Sequence, residues 1–399
     1  MMATCTVNEP SIGKVYQNSS HATVVNPTVA NDTKEDKGSP VVLSSFWIDK
    51  PAIFAPMYHY ETDYYRSQLE KWPLRAIWSN MSDTSVNILE TPQRLKALRK
   101  AAADETISIL RTGVYKKGNG EEVNILNDIR LSISSSVCYP PDAEIFSAED
   151  IKPRYATTML EVRNMTTLQA CRDLWNRYGG EVGCLCFASG KNPGGAFLGG
   201  SDGQEESIAR SSSYYHCVIR DPSLYEFNRV NKDPFQSDHL IVAPHMPVFR
   251  QDTSPYSVID PWYLTAISAP AVNASLVRER RVPQGEERIQ QRMRARVRRI
   301  LTAAYAYGVR NLVLGEYGCG SLGNDPNEIA LYFREELMLP TSRFRCAFEH
   351  VVFAIHDAPS APVGGGRPKI HCLPPFADAI CPVGRTIVIQ RDGSRPHYI

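Results

Sequence analysis

Membrane spans, an export signal and metal-ligand spacing are all missing from this 399-residue chain. No uncharged apolar run approaches the roughly 18 residues that read as a span, and the start, MMATCTVNEPSIGKVYQ, lacks the apolar stretch of a secretory signal. An excess of either charge is missing too. Lys plus Arg at 44 against Asp plus Glu at 43 give +1, so the average surface is not built for a polyanion. None of the ten cysteines forms a CxxC pair and no histidine stands at a matching zinc distance, which predicts no metal and no cofactor. Without a signal the thiols read as reduced, which predicts a cytoplasmic or nuclear protein with no membrane partner. No internal repeat is visible at a period of 20 to 50 residues. No glycine loop ends in Gly-Lys-Ser/Thr, and none reads GxGxxG at the first strand of a dinucleotide fold, so kinase and dehydrogenase readings lose most of their ground.

What is present is globular: 43% hydrophobic and 22% charged residues, near the averages for folded domains. Residues 1–42 are too polar to repay the entropy of ordering and read as a disordered arm. Residues 43–88 carry aromatic clusters among prolines (Phe46 and Trp47, Tyr58 and Tyr60, Tyr64 and Tyr65) and read as an N-terminal extension wrapping onto a folded body. Residues 89–358 carry the periodic apolar pattern of one folded domain. Residues 359–399 return to Pro and Gly and read as a loosely ordered tail, in which Thr386 to Ile389 could add an edge strand.

In the body, Thr91 as cap and Pro92 as first helical residue open a helix that Gly113 stops. Strands are expected at 157–162, 182–188, 240–243, 264–268, 311–314 and 350–355. Helices are expected at 167–178, 204–214, 286–307 and 326–337. This alternation argues for a largely parallel sheet with helices on both faces, where chemistry sits in loops after the strands.

Two glycine-rich loops stand there. One runs from Ser189 through Asn192, Gly194, Gly195, Ala196 and Phe197 to Gln204, Glu205 and Glu206; the other runs from Gly315 through Gly318, Cys319, Gly320, Ser321, Leu322 and Gly323 to Asp325 and Pro326. Strand, thin loop and helix start together suit a phosphate, because backbone N–H groups can approach an anion; a tight packing turn explains the same pattern. Adjacent carboxylates on a helix diverge by about 100°, so Glu205 and Glu206 would do different jobs, unless both only complement the helix dipole. Tyr317 and Phe197 are candidates for stacking on a base or sugar, with core packing an equal alternative.

The run Ala188-Ser189-Gly190-Lys191-Asn192-Pro193-Gly194-Gly195-Ala196-Phe197 through Gln204-Glu205-Glu206-Ser207 resembles the signature of the microbial-type poly(ADP-ribose) glycohydrolases. Supporting stretches are Asp104-Glu105-Thr106, Pro247-Val248-Phe249-Arg250, Ser268 to Asn273, and Gly318-Cys319-Gly320 leading to Asn324-Asp325-Pro326. The resemblance implies a three-layer α/β/α macrodomain-like fold with a mixed, largely parallel sheet. It also implies hydrolysis of ribose–ribose bonds in poly(ADP-ribose), with ADP-ribose as product. Glu206 would be the general acid and Glu205 would hold ribose hydroxyls. Ser189, Asn192, Gly194, Gly195, Ala196, Phe197, Gln204, Gly318, Cys319, Gly320, Ser321, Leu322 and Gly323 would line the substrate. The implied partners are poly(ADP-ribose) or ADP-ribosylated protein, rather than nucleic acid. Alternatives are an ADP-ribose-binding module without turnover and a hydrolase of single ADP-ribose units or a derivative. For Glu206 to carry a proton near neutral pH, burial or the Glu205 charge must raise its pKa against the pull of the helix start.

Two residues depart from the family pattern: Ala196 stands for the third glycine, and Leu322 for an aromatic residue that shapes the distal ribose pocket. Separately, the segment Arg278 to Arg299 holds nine arginines and three glutamates, +6 in all. Ile289, Met293, Val297, Leu301 and Ala304 form an apolar stripe, and Arg288, Arg292, Arg296 and Arg299 beside it are expected to form a solvated basic face or, in the alternative, a contact for a polyanionic chain.

Overall fold

The computed structural model describes residues 91–180, 182–357 and 371–399; the expected arm and N-terminal extension lie outside them. Helix α1 (Pro92–Thr112) begins as the sequence predicts. The Thr91 side chain accepts from Arg94 N, and the helix stops where Gly113 turns to φ 74°. A small hairpin follows, β1 (Val114–Lys116) with β2 (Glu122–Asn124), then α2 (Leu126–Ser135) and β3 (Val137–Tyr139). The alternating body begins with β4 (Thr157–Arg163), α3 (Thr167–Tyr178, opened by a Thr166–Gln169 capping box) and β5 (Val182–Ala188). It continues through α4 (Gln204–Ser211), α5 (Tyr214–Ile219), α6 (Ser223–Asn231), β6 (Leu240–Arg250) and β7 (Val258–Pro270). The remaining elements are α7 (Ala274–Glu279), α8 (Gly285–Ala306), β8 (Asn311–Leu314), α9 (Pro326–Met338), β9 (His350–Ala354), α10 (Leu373–Ala379), β10 (Thr386–Gln390) and β11 (His397–Tyr398).

Nine strands form one sheet in the order β11-β10-β4-β9-β8-β5-β7-β6-β3. The central five are parallel, and β10, β11, β6 and β3 extend the sheet antiparallel on the two sides. Alternate strand residues feed two separate cores. Leu185, Leu312, Leu314, Val351 and Phe353 pack with α8 and α9, whereas Cys184, Cys186, Val313, Val352 and Ala354 pack with α3, α4 and α5. The expected three-layer α/β/α arrangement is therefore present. Among the described residues no helix is long and apolar enough to cross a membrane.

Three expectations are corrected. Strands β6 and β7 are far longer than the short runs predicted and form a hairpin with register shifts; Pro244, inside the first shift, and Pro247 had hidden the strand pattern. The tail is not loosely ordered in its described part. β10 pairs with β4 over five residues, β11 lies outside it, and Phe376, Cys381 and Ile389 are buried in the core. Its apolar residues fill one side of the sheet because β4 would otherwise end the sheet with an open edge.

The third correction concerns α8. Its apolar stripe is buried as expected and Arg288, Arg292 and Arg298 stay exposed, but Arg296 is buried and the face as a whole is engaged by neighbouring acids, carbonyls and a ring. Arg296 is 3% exposed, pairs with Asp238 at 2.7 Å and donates to the carbonyls of Phe235, Gln236 and Pro270. Arg292 shares Asp238, Arg294 and Arg298 pair with Glu335 and Glu336, Arg299 donates to the carbonyls of Pro140 and Ala143, and Arg288 stacks on Phe235. A helical wheel shows which side a residue occupies, but not the acids and carbonyls that neighbouring segments bring to it.

Candidate active site

Because β5 and β8 are parallel neighbours, the loops that leave their carboxyl ends, residues 189–203 and 315–325, emerge side by side. Their bases touch: the rings of Phe187 and Tyr317 lie 6.1 Å apart, and a β-carbon on Gly315 would come within 2.9 Å of Phe187. The first loop is tied back at its far end by two guanidiniums. Arg99 of α1 donates to Gly200 O at 2.9 Å and pairs with Asp202, and buried Arg210 donates to Ser201 O at 3.1 Å.

The two glutamates at the start of α4 diverge as helical geometry requires. Glu205 is 4% exposed and turns inward. Its Oε2 accepts from Ser189 N at 2.7 Å, and its Oε1 accepts from Gly194 N at 3.1 Å and Tyr214 Oη at 3.2 Å. Burial pushes its carboxyl up; the Ser189 N–H pulls it back and the Glu206 charge adds to the rise, and the outcome is about 8. Glu206 is half-buried, and its Oε1 accepts from Ala196 N at 3.1 Å. It rests between two glycines. A β-carbon would stand 2.7 Å from Glu206 Cδ at Gly195 and 3.1 Å from it at Gly203. Thinness of the loop is therefore a steric requirement of the second carboxylate, and Gly194 and Gly195 also hold positive φ, 70° and 61°.

The remaining predicted residues separate into two groups. Ser189 braces its own loop, its Oγ accepting from Lys191 N and Asn192 N, while Asn192 and Ala196 are exposed. Ala196 has φ −112°, so its side chain brings no left-handed strain. On the second loop Gly320 and Ser321 are exposed, a β-carbon on Gly320 would meet open space, and Gly323 packs against Ser275. Leu322 is half-buried against the core, and its carbonyl accepts from Ser275 N.

Phe197, Cys319, Gln204 and Tyr317, by contrast, are turned into the protein and shape the site from behind. Phe197 packs on Tyr215 with centroids 5.1 Å apart, Cys319 is fully buried, and Tyr317 is buried with its hydroxyl donating to Pro270 O at 2.8 Å. Gln204 is a clamp: its Oε1 accepts from Phe187 N, and its Nε2 donates to Leu185 O and Thr167 Oγ1. Gln204 and Tyr317 thus satisfy the backbone beneath the loops, a demand that a linear motif does not reveal.

Two supports had been given no role from the sequence. Asn324 is buried and donates through Nδ2 to Gly318 O at 3.0 Å and Val272 O at 2.8 Å, joining the second loop to the segment after β7. Tyr214 stands under Glu205, and the preceding Ser211-Ser212-Ser213 run carries no periodicity that would have marked it.

Residues 103–251 match the family model described as microbial-type PARG, catalytic domain. The chain is similar to the solved poly(ADP-ribose) glycohydrolase from Thermomonospora curvata at 36% identity and TM-score 0.62, covering 71% of this chain and 99% of that one. The same enzyme bound to the inhibitor ADP-HPD matches at 37% identity and TM-score 0.62, covering 70% and 98%. The poly(ADP-ribose) glycohydrolase from Deinococcus radiodurans in complex with ADP-ribose matches at 32% identity and TM-score 0.54, covering 63% and 96%. No curated protein matches the chain.

Proposed function

The chain belongs to the microbial-type poly(ADP-ribose) glycohydrolases, and from that premise we propose how its own residues cut the polymer. The protein is a glycosidase that hydrolyses the ribose–ribose bonds of poly(ADP-ribose) and releases ADP-ribose. In our reading Glu206 is the general acid. The observation that carries this assignment is the split between the two carboxyls: Glu205 is turned inward and fixed by three donors, while Glu206 lies along the loop between Gly195 and Gly203.

The relatives hold ADP-ribose and ADP-HPD, and we place the diphosphate of this chain's substrate between the loops at Gly194–Ala196 and Gly318–Gly323. Ribose hydroxyls donate to Glu205 and favour its charged form. In the role proposed here Glu206 supplies the transferable proton. Glu206 gives it to the departing ribose oxygen as the C–O bond breaks, and negative charge on Glu205 sits near the oxocarbenium-like centre. Water adds to that carbon, and its proton returns to Glu206. The polymer, free or attached to protein, is the partner we propose; the pairing of Arg292, Arg294, Arg296 and Arg298 with acids of the fold weakens the case for nucleic acid. We propose the reducing cytoplasm or nucleus as its location; among the described residues no two cysteines are joined in a disulfide.

Glu206→Gln keeps size and hydrogen-bonding capacity but removes the transferable proton. Hydrolysis of poly(ADP-ribose) should fall by about a hundredfold or more, while ADP-ribose affinity by calorimetry stays near that of the parent. An active parent with an equally active variant would place the acid elsewhere.

A further inference from the structure

Tyr214 is fully buried at the start of α5. Its hydroxyl lies 3.2 Å from Glu205 Oε1, 3.0 Å from Ser268 Oγ on β7 and 3.2 Å from Cys186 Sγ on β5. A phenol has one proton to give. Ser268 O–H and Cys186 S–H both donate to the phenol oxygen, so the phenol's own proton is left directed at Glu205.

We propose that Tyr214 is a positioning residue for hydrolysis, holding the Glu205 carboxylate charged and aimed at the ribose through this one directed hydrogen bond, with Ser268 setting its direction. The inference rests on the reading above that Glu205 grips ribose hydroxyls. The titratable side chains that face Glu205 are Glu206 on its own helix, Tyr214 on α5, Cys186 on β5 and Tyr225 on α6. None of these four is a cation, so no ion pair among them offsets the burial of the Glu205 charge. The offset comes from three donors: the N–H groups of Ser189 and Gly194 and the O–H of Tyr214. Only the last is a side chain, and burial keeps that phenol protonated well above its ordinary range. Tyr214 is thus the one donor of the three that a substitution can delete without remodelling the loop.

The test compares the parent with Tyr214→Phe and Ser268→Ala, all as full chains, by kcat/KM on poly(ADP-ribose) against pH. Loss of a hydrogen bond to a charged carboxylate moves its titration upward by about one to two pH units. The limb on which activity rises with pH should move up by that amount in Tyr214→Phe, with neutral-pH activity down about ten- to a hundredfold. Ser268→Ala should move the limb the same way by less, because it only weakens the donor. A folded Tyr214→Phe whose activity drops uniformly, or does not drop, with the limb unmoved overturns the proposal and leaves Tyr214 as packing. If Tyr214→Phe does not fold, Ser268→Ala decides, and an unmoved limb again overturns it. A parent without turnover would instead sink the hydrolase reading itself.

Discussion

Glu206 lies directly over Gly195: a β-carbon there would stand 2.7 Å from its carboxyl carbon, closer than side chains approach one another. The backbone N–H of the next residue, Ala196, holds the same carboxylate at 3.1 Å. Glycine and carboxylate therefore form one unit, in which the missing side chain sets where the Glu206 carboxyl stands.

Gly195→Ala should consequently damage catalysis more than folding. Placing Ala at φ 61° costs about 1 to 2 kcal/mol, and the new methyl must push the carboxyl aside. If Glu206 is the acid proposed above, a displacement of roughly 1 Å there is worth about a hundredfold in rate. Ala196→Gly is the matched control. Its φ of −112° suits either residue and its side chain is exposed, so kcat/KM should stay within about twofold. Steady-state turnover and a melting curve on both variants separate the two effects.

Arg296→Gln should unfold the chain at lower urea without any specific effect on polymer binding. The guanidinium is buried against Asp238 and three carbonyls, and breaking a buried pair from one side costs about 3 to 5 kcal/mol. Burial pushes the Asp238 carboxyl up, but Arg296 and Arg292 outweigh it and hold it below its ordinary value. Urea midpoints measure the loss. A variant as stable as the parent would mean that these contacts are dispensable.

A chain ending at residue 357 should fail to fold. It would lose β10 from the side of β4, along with buried Phe376, Ile387 and Ile389. At about 1.5 to 3 kcal/mol for each large apolar side chain buried, these three alone rival a marginal total of about 5 to 15 kcal/mol. Expression in the soluble fraction and circular dichroism provide the check.

Acid stability should depend on Glu161, which links three strands: it pairs with Arg163 on its own β4 and with His350 of β9 at 3.1 Å, and accepts from Thr386 Oγ1 of β10 at 3.1 Å. Burial pushes its carboxyl up, but His350 and Arg163 outweigh that and bring it down to about 2. A depressed carboxyl stabilises the fold above its unfolded value near 4.5, and this contribution is lost as pH falls toward 2. Glu161→Gln should flatten stability against pH in that window, as read from urea midpoints at pH 2.5 to 5.

The order of elements, the two loops and the glutamate pair were legible because each depends on local patterns. Strand 182–188 and helix 167–178 match residue for residue, since their apolar patterns are written in consecutive residues. The long β6–β7 hairpin was not legible: its prolines argue locally against strands, and only pairing across the hairpin and with β5 overrides them. Among the expected ligand contacts, Phe197, Gln204 and Cys319 proved to be inward supports, because adjacency in a motif does not say which way a side chain turns.

By itself the sequence determined the parallel α/β plan, the placing of both glycine loops after strands and the pairing of Glu205 with Glu206, all set by spacing along the chain. Tertiary structure alone decided which glutamate turns inward and which lies along the loop. It alone brought Tyr214 under Glu205, paired the arginines of α8 and drew the tail into the sheet. Those outcomes depend on groups distant in sequence, such as Ser268, Asp238 and β4, and burial and hydrogen bonding act through space, where order along the chain carries no information.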